Sequence, residues 1–124
     1  MRNKTKNGLL RIAIAQINCT VGDLEGNSAK IKDYIQDARK LGAQIIVFPE
    51  LAITGYPPED LLNKPKFIQD NLLKLREIAG HTKDIVAIIG FVDGSKKANQ
   101  LFNAAAVIFN GKIKGIYRKI YLPN

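Results

Sequence analysis

The feature that most constrains the fold is a short apolar run, Ile45–Phe48, which ends at a proline and is followed by a glutamate. An unbroken run of strand-forming apolar residues is typical of a strand buried on both faces. Pro49 has no backbone donor and therefore ends the hydrogen-bonded ladder. Glu50 is thus predicted at the carboxyl end of a buried strand, the edge of an α/β sheet where ligand sites collect. A carboxylate there is costly unless it has a partner or a chemical role.

The rest of the chain alternates between strand and helix patterns. Four further strands are predicted, over Leu9–Ile17, Ile85–Phe91, Phe102–Phe109 and Lys112–Ile120. The first helix is predicted to be capped by Asn27 or Ser28 and to close at Gly42, and the second to run from Pro65 to near Gly80. Loops or turns are predicted over 18–26, 57–63 and 93–99. The order β-α-β-α-β-β-β defines an α/β chain with a parallel or mixed sheet under helices.

The predicted elements do not cover both faces of this sheet. Ile45–Phe48 and Ile85–Phe91 are apolar throughout, so each should be covered on two sides, yet only two helices are available. The last strand is followed by only four residues. We therefore expect a basic N-terminal tail over residues 1–8 and, over residues 9–124, part of a larger domain.

The charge of the chain is unevenly distributed. The sequence has 124 residues and a net charge of +8, and residues 63–124 contain eleven Lys/Arg against four Asp/Glu. A basic half can attract nucleic acid, but no nucleic-acid motif is present and no aromatic residues are interleaved with the lysines. A solvated lysine-rich surface is the favoured interpretation, and nucleic acid is not expected as a partner.

The location of the protein is predicted from its cysteine count and its apolar segments. Cys19 is the only cysteine, which excludes an internal disulfide and favours a reducing compartment. No apolar segment after the basic N-terminus is long enough for a signal peptide, and none approaches the roughly 20 residues of a membrane span. We predict a soluble, cytoplasmic protein that does not contact membranes.

Lys119 is the predicted partner of Glu50. Along the last strand, the less polar alternating set is Ile113, Gly115, Tyr117 and Lys119. Lys119 is therefore expected on the buried side, where a lysine needs a partner. If its strand lies beside Ile45–Phe48 and parallel to it, the two charged groups meet at one edge of the sheet. Such a pair can provide a general base and a cation that stabilises an oxyanion. The structural alternatives are a loop carboxylate and a strand-end lysine that extends into solvent.

Two other reactive side chains are weaker candidates. Cys19 follows the first strand, but no histidine or carboxylate with a recognisable spacing surrounds it, so a buried or inert thiol is favoured over a nucleophile. His81 follows Gly80 at the end of a predicted helix, where it complements the helix dipole more readily than it catalyses a reaction.

At the two charged residues the chain resembles the nitrilase superfamily, carbon–nitrogen hydrolases built as an α-β-β-α sandwich. Phe48-Pro49-Glu50 matches the strand-end motif of the superfamily's glutamate, and the run from Tyr117 to Leu122 matches the Tyr-x-Lys-x-x-Leu context of its lysine. The segments Arg11–Gln16 and Val21–Asn27 resemble its N-terminus. The run from Leu51 to Leu62 is similar to the glutaminase domain of glutamine-dependent NAD synthetases, as are Val21–Asn27 and Leu122–Asn124.

The resemblance implies roles for individual residues. Glu50 would activate a cysteine thiol, Lys119 would stabilise the tetrahedral intermediate formed on glutamine, and Tyr56 would shape the glutamine pocket or the ammonia route. The superfamily's cysteine lies beyond residue 124, so this chain would lack the nucleophile and be inactive alone.

The resemblance also implies partners and cofactors. Ammonia would pass to a synthetase domain that uses ATP and magnesium to amidate deamido-NAD, while this chain itself would bind no cofactor or metal. The full-length protein would form a homo-oligomer. Two alternatives stay open: a stand-alone amidase or ω-amidase of the same superfamily, and a non-catalytic truncated module that binds a partner.

Overall fold

The computed structural model describes residues 8–95 and 100–122. In chain order the elements are β1 (Ile12–Ile14), α1 (Leu24–Lys40), β2 (Ile45–Val47), a short 3-10 helix (Glu59–Asn63), α2 (Pro65–Gly80), β3 (Val86–Ser95), β4 (Gln100–Phe109) and β5 (Lys112–Leu122). The predicted α/β class and the order β-α-β-α-β-β-β are confirmed. Apart from Gly8, the predicted basic tail lies outside the described residues, as do residues 96–99 of the polar turn and the terminal Pro123-Asn124.

The five strands form one mixed sheet in the order β1-β2-β3-β4-β5. The pairs β1/β2 and β2/β3 are parallel, whereas β3/β4 and β4/β5 are antiparallel. β5 therefore runs in the same direction as β2 but is not its neighbour, because β3 and β4 lie between them. The sequence predicts that Glu50 and Lys119 meet if the strand before Glu50 and the strand of Lys119 are parallel neighbours. These strands run in the same direction but are not neighbours.

Both helices pack on one face of the sheet, which we call the helix face. Ile31 and Ile35 of α1 and Leu75 and Ile78 of α2 form a core there with alternate strand residues. The strand residues in this core include Ile46, Ala87, Ile89, Phe91, Ala104, Ala106 and Ile108. Burial of these side chains supplies most of the driving force for this half of the fold.

The opposite face, which we call the open face, is apolar and is covered only in part. Leu51 and Leu62 pack with Val92 of β3 in a small buried cluster, whereas no layer within the described residues covers the end of the face formed by β1 and β2. Ile12 and Ile14 of β1 are 51% and 75% exposed, and Ile45, Val47 and Ile88 behind them are half-buried. The expectation that two helices would not cover both faces matches this arrangement. Neither helix of the described ranges is long and apolar enough to cross a bilayer.

Several element boundaries differ from the predicted ones for local physical reasons. β1 is three residues long rather than nine, since its partner β2 offers only three residues for pairing. The cap of α1 is neither Asn27 nor Ser28, which are buried within the helix. It is Asp23, whose Oδ1 accepts from the Gly26 amide at 2.9 Å. β3 extends to Ser95 because β4 pairs with it along ten residues.

Candidate active site

The candidate site is built where β2 ends and the chain leaves the plane of the sheet. The Phe48 amide still donates to the Ile88 carbonyl of β3 at 2.9 Å, in the manner of a parallel ladder. Pro49 has no amide hydrogen, so the ladder cannot continue through it. The residues that follow form a tight turn in which the Gly55 amide donates to the Leu51 carbonyl at 2.8 Å. Glu50 is thereby placed beyond the strand end rather than within the sheet.

This turn crosses β3 at Gly90, in contact with its backbone. A Cβ atom on Gly90 would lie 2.4 Å from the Leu51 nitrogen and 2.5 Å from the Pro49 carbonyl oxygen. Real side chains do not approach backbone atoms this closely, so only glycine fits. The Ile53 amide also donates to the Gly90 carbonyl at 3.3 Å. Gly90 is therefore the residue that lets the backbone of Glu50 lie directly against the sheet.

A second contact fixes the far end of the turn. Asn27 of α1 is fully buried, and its Nδ2 donates to the carbonyls of Ile53 and Thr20 at 2.9 and 2.8 Å. Its Oδ1 accepts from the Thr20 amide at 2.8 Å. One side chain thus joins α1, the loop before it and the turn after Glu50. Each of these backbone groups would be costly to bury without a partner.

Beyond the turn, where β2 no longer pairs with β3, the side chain of Asn71 bonds the backbone of β3. Asn71 of α2 is fully buried and bonds both backbone polar groups of Val92 on β3. Its Nδ2 donates to the Val92 carbonyl at 2.7 Å, and its Oδ1 accepts from the Val92 amide at 3.2 Å. The edge of β3 that β2 leaves unpaired is therefore satisfied first by Ile53 and then by Asn71.

Glu50 makes two hydrogen bonds, one through each carboxylate oxygen. Its Oε1 accepts from the Lys119 ammonium of β5 in a close ion pair. Its Oε2 accepts from the side-chain Nδ2 of Asn103 on β4 at 2.8 Å. Asn103 is 4% exposed, whereas the side chains of Glu50 and Lys119 are each 52% exposed. The structure thus brings the two predicted charged residues together and adds a buried amide that the sequence reasoning missed.

Lys119 lies at an irregularity of the β4/β5 ladder. Asn103 is paired with Ile120, but the next residue of β4, Ala104, is paired with Arg118. The register shifts across Lys119, as in a β-bulge, which bends a strand and re-aims a side chain. The expectation that Lys119 lies on the buried side is wrong for this chain, because the side chain is half exposed and Tyr117, in the same alternating set, is 68% exposed. Both residues lie on the open face, on the outer strand β5, where the described ranges cover them only in part.

The ion pair changes the proton affinity of both partners. The hydrogen bond from Lys119, and then the one from Asn103, lowers the pKa of the Glu50 carboxyl below its ordinary value. The hydrogen bond to Glu50, and then the charge of that carboxylate, raises the pKa of Lys119. Tyr117 and Tyr56 add smaller effects that also raise the pKa of Lys119. At neutral pH the site is therefore a carboxylate beside an ammonium group.

Tyr56 lies at the rim of this arrangement. It is 68% exposed and close enough to Lys119 to influence its pKa. A separate open cleft of about 410 Å³ lies between the carboxyl ends of β1 and β2, lined by residues 14–18 and 47–49. Pro49 therefore lines this cleft, and Glu50 is the next residue in the chain.

The two weaker candidates lie apart from the pair. Cys19 packs against the core of the helix face, and no hydrogen bond within the described ranges joins its thiol to Glu50. Burial raises the pKa of this thiol, and the charge of Lys30 opposes that effect in part. His81 is the C-cap of α2, as the sequence predicted. In the part of the chain that the structure describes, no group of three or more His, Cys, Asp or Glu could hold a metal ion.

The missed residues left different signals in the sequence. Asn103 is the one polar residue in the run Leu101–Phe109, which marks it as a buried group in need of a partner. Gly90 interrupts the apolar run Ile85–Phe91, and a glycine within a strand often marks the close approach of another backbone. Asn27 is a plausible helix cap from sequence alone, whereas its hydrogen bonds to Thr20 and Ile53 in the folded chain show that it holds the turn.

Residues 11–124, which include the paired Glu50 and Lys119, match the carbon-nitrogen hydrolase family. The chain therefore belongs to this family, as the resemblance implied.

Individual relatives narrow the comparison. The chain is 44% identical over 117 residues to a glutamine-dependent NAD(+) synthetase of Thermotoga maritima, and 45% identical over 116 residues to one of Xanthomonas campestris. Each match covers 93% of this chain, but only 20% and 21% of the two relatives. This chain thus spans about a fifth of the length of the synthetases it matches.

Solved structures agree with this comparison. The glutamine-dependent NAD+ synthetase of Acinetobacter baumannii, solved with adenosine diphosphate, superimposes with a TM-score of 0.84 at 36% identity, over 93% of this chain and 22% of that one. An amidase of the nitrilase superfamily from Nesterenkonia superimposes with a TM-score of 0.77 at 25% identity, over 93% of this chain and 44% of the amidase. The nitrilase-type fold is therefore confirmed.

Proposed function

We propose that this chain is the N-terminal part of the glutaminase domain of a glutamine-dependent NAD synthetase, with Glu50 and Lys119 as two of its three catalytic residues. The observation that supports this proposal is the direct pairing of these two side chains, each within a motif of the family, on a chain similar to such synthetases over 93% of its length. The stand-alone amidase is the second candidate, and the lower identity to the Nesterenkonia amidase makes it the weaker one.

In this mechanism Glu50 is the general base. Its lowered pKa leaves the carboxylate unprotonated at neutral pH and able to accept a proton from a cysteine thiol. That cysteine would come from a part of the domain outside this chain. The resulting thiolate attacks the side-chain amide carbon of glutamine, and the carbonyl oxygen becomes an oxyanion.

Lys119 is the cation next to that oxyanion. Its raised pKa keeps the ammonium group charged, and a charged donor aimed at a developing oxyanion stabilises the tetrahedral intermediate. When the intermediate collapses, the C–N bond breaks and ammonia leaves with the proton that Glu50 accepted. Water then hydrolyses the cysteinyl thioester to give glutamate. Covering the open face would remove water from the pair and raise the pKa of Glu50 toward a value better suited to proton transfer.

The remaining functions fall to Tyr56 of this chain and to other parts of the full-length protein. Tyr56, at the rim beside Lys119, would line the glutamine pocket or the ammonia route. The ammonia would pass to a synthetase domain, where ATP and magnesium support the amidation of deamido-NAD. The cytoplasm stays the predicted compartment because of the lone cysteine, and a homo-oligomer stays a prediction for the full-length protein.

The test separates glutamine hydrolysis from the use of ammonia. In the full-length protein, Glu50→Gln should reduce glutamine-dependent NAD synthesis by about 100-fold or more, as expected for loss of a general base, and leave synthesis from added ammonium unchanged. The control is Glu77→Gln on α2, which removes a glutamate ion-paired with Lys74 and should change neither activity. Equal loss of both activities in Glu50→Gln would make Glu50 a structural residue. Failure of the wild-type protein to use ammonium would favour the amidase.

A further inference from the structure

The buried amide beside the ion pair has no role in the mechanism above. Asn103 lies in the middle of β4, opposite Val92 of β3 and Ile120 of β5. Its neighbours in the strand are apolar, and the residue is 4% exposed. A carboxamide in such a place must use its hydrogen bonds to offset the cost of leaving water. The partner it uses is the Oε2 atom of Glu50, at 2.8 Å.

We propose that Asn103 is the positioning residue of the Glu50 base: its amide holds Oε2 so that Oε1 is presented to Lys119. This inference rests on the proposed function only in naming Glu50 a base. The positioning itself concerns contacts within this chain.

The two partners of Glu50 differ in stiffness. Lys119 reaches the carboxylate through a long side chain that is half exposed, so it can follow the carboxylate to several positions. Asn103 has two side-chain torsions and is enclosed by its strand neighbours, so its donor occupies one position. One hydrogen bond would leave the carboxylate free to turn about its terminal torsion, whereas two bonds to different oxygens from different strands fix its plane. The direction of the carboxylate is therefore set by Asn103.

The arrangement also limits where a proton can be accepted. The NH2 group of Asn103 can only donate, so it occupies one lone pair of Oε2 as an acceptor. Oε1 faces the ammonium group, which likewise only donates. An incoming proton is thereby directed to a carboxylate lone pair that neither donor occupies.

The test follows the titration of one carboxyl group. The side-chain carboxyl carbon of Glu50 is observed by NMR in the 124-residue chain as the pH is varied, for the wild type, Asn103→Leu and Asn103→Asp. Removal of the donor in Asn103→Leu should move the Glu50 midpoint to higher pH. Asn103→Asp should move it further, because a second carboxylate repels the first. The control Asn63→Leu, which replaces an exposed asparagine of the 3-10 helix, should leave the midpoint unchanged.

An unchanged Glu50 midpoint in folded Asn103→Leu overturns the proposal. If that variant does not fold, the near-isosteric Asn103→Asp decides, and an unchanged midpoint there has the same meaning. In the full-length protein, Asn103→Leu should lower kcat for glutamine by about 10- to 100-fold with little change in KM, as expected for a misplaced catalytic group. Wild-type protein that does not hydrolyse glutamine would contradict the proposed function, while the titration still decides the role of Asn103.

Discussion

Glu50 follows β2 and Lys119 lies in β5, and the two residues form an ion pair although β3 and β4 separate these strands in the sheet. Neighbouring strands lie about 4.8 Å apart, so three such gaps exceed the reach of a glutamate side chain. The backbone closes part of this distance, because the turn after Pro49 crosses β3 at Gly90, and the side chains of Glu50 and Lys119 span the rest. A change that displaces the crossing backbone should therefore break the pair.

Replacing the glycine at the crossing tests this directly. Gly90→Ala places a Cβ atom against two backbone atoms that have no room to move, so it should lower the free energy of unfolding by about 2 kcal/mol or more. The control is Gly80→Ala at the end of α2, where nothing lies within 4 Å of the added atom. That variant should be within about 1 kcal/mol of the wild type. Urea unfolding measures both, and equal stability of the two variants would contradict the close approach at Gly90.

Loss of the Asn27 side chain should loosen the turn from its other end. Asn27→Ala leaves the Ile53 and Thr20 carbonyls and the Thr20 amide without their partner, and all three of these bonds are at least partly buried. We expect a loss of about 2–4 kcal/mol, from unsatisfied backbone groups and the space left behind. Asn18→Ala, at an exposed position of the same loop, is the control and should stay within about 0.5 kcal/mol of the wild type. Thermal unfolding of the two variants gives the comparison.

The ion pair predicts a dependence of stability on pH at both extremes. Because the pKa of Glu50 is lowered in the folded chain, its contribution is present above its ordinary value of 4.5 and is lost as the pH falls through the folded value. Because the pKa of Lys119 is raised, its contribution is present below 10.5 and is lost as the pH rises through the folded value. Lys119→Met should therefore flatten the unfolding free energy below pH 4.5 and above pH 10.5.

The matched control for this pH dependence is Lys66→Met, which removes another lysine, one that pairs with Asp70 on the surface of α2. It should keep the acid and alkaline losses seen in the wild type. Urea titrations at several pH values measure the slopes. Identical slopes in Lys119→Met and Lys66→Met would show that the pair with Glu50 contributes nothing to folding.

Cys19 should behave as a poorly reactive thiol. Burial raises its pKa above 9.0, so at pH 7 about 1% or less is thiolate, the reactive form. Alkylation of the folded chain by iodoacetamide should be slower than that of the same chain in urea. Lys30→Met should slow it further, since the charge of Lys30 lowers the pKa of the thiol. Faster alkylation in the folded chain, or glutamine hydrolysis that Cys19→Ser abolishes, would restore Cys19 as a nucleophile.

Local patterns predict the elements of this fold better than they predict its contacts. The apolar run at Ile45–Phe48, followed by Pro49, indicates a buried strand end, and the residue after it is half of the ion pair. Alternation along β5 places Lys119 and Tyr117 in one set, but it does not reveal which face another layer covers, so the predicted burial of Lys119 is wrong. Periodicity describes one element at a time, whereas burial depends on what packs against it.

Sequence periodicity does not predict long-range hydrogen bonds. Asn27 fits the local signature of a helix cap, but its Nδ2 donates to the carbonyl of Ile53, a residue 26 positions away. Asn71 falls by its helical spacing in the apolar stripe of α2, and only the structure shows that it completes the ladder of β3 at Val92. A short polar side chain has many possible partners, and only the folded chain determines which of them it meets.

The stretch of β3 from Gly90 to Val92 sets a distance within the site. Gly90 marks where the backbone of the turn with Glu50 crosses β3, and Val92 pairs with Asn103. The crossing point and the backbone position of Asn103 are therefore about 7 Å apart along the strand direction, a distance that the side chains of Glu50 and Asn103 span. Inserting two apolar residues between them would preserve the alternation of faces and the hydrophobic pattern. The carboxylate and the amide would nonetheless no longer meet. The length of this apolar strand segment therefore determines whether Glu50 and Asn103 can form their hydrogen bond.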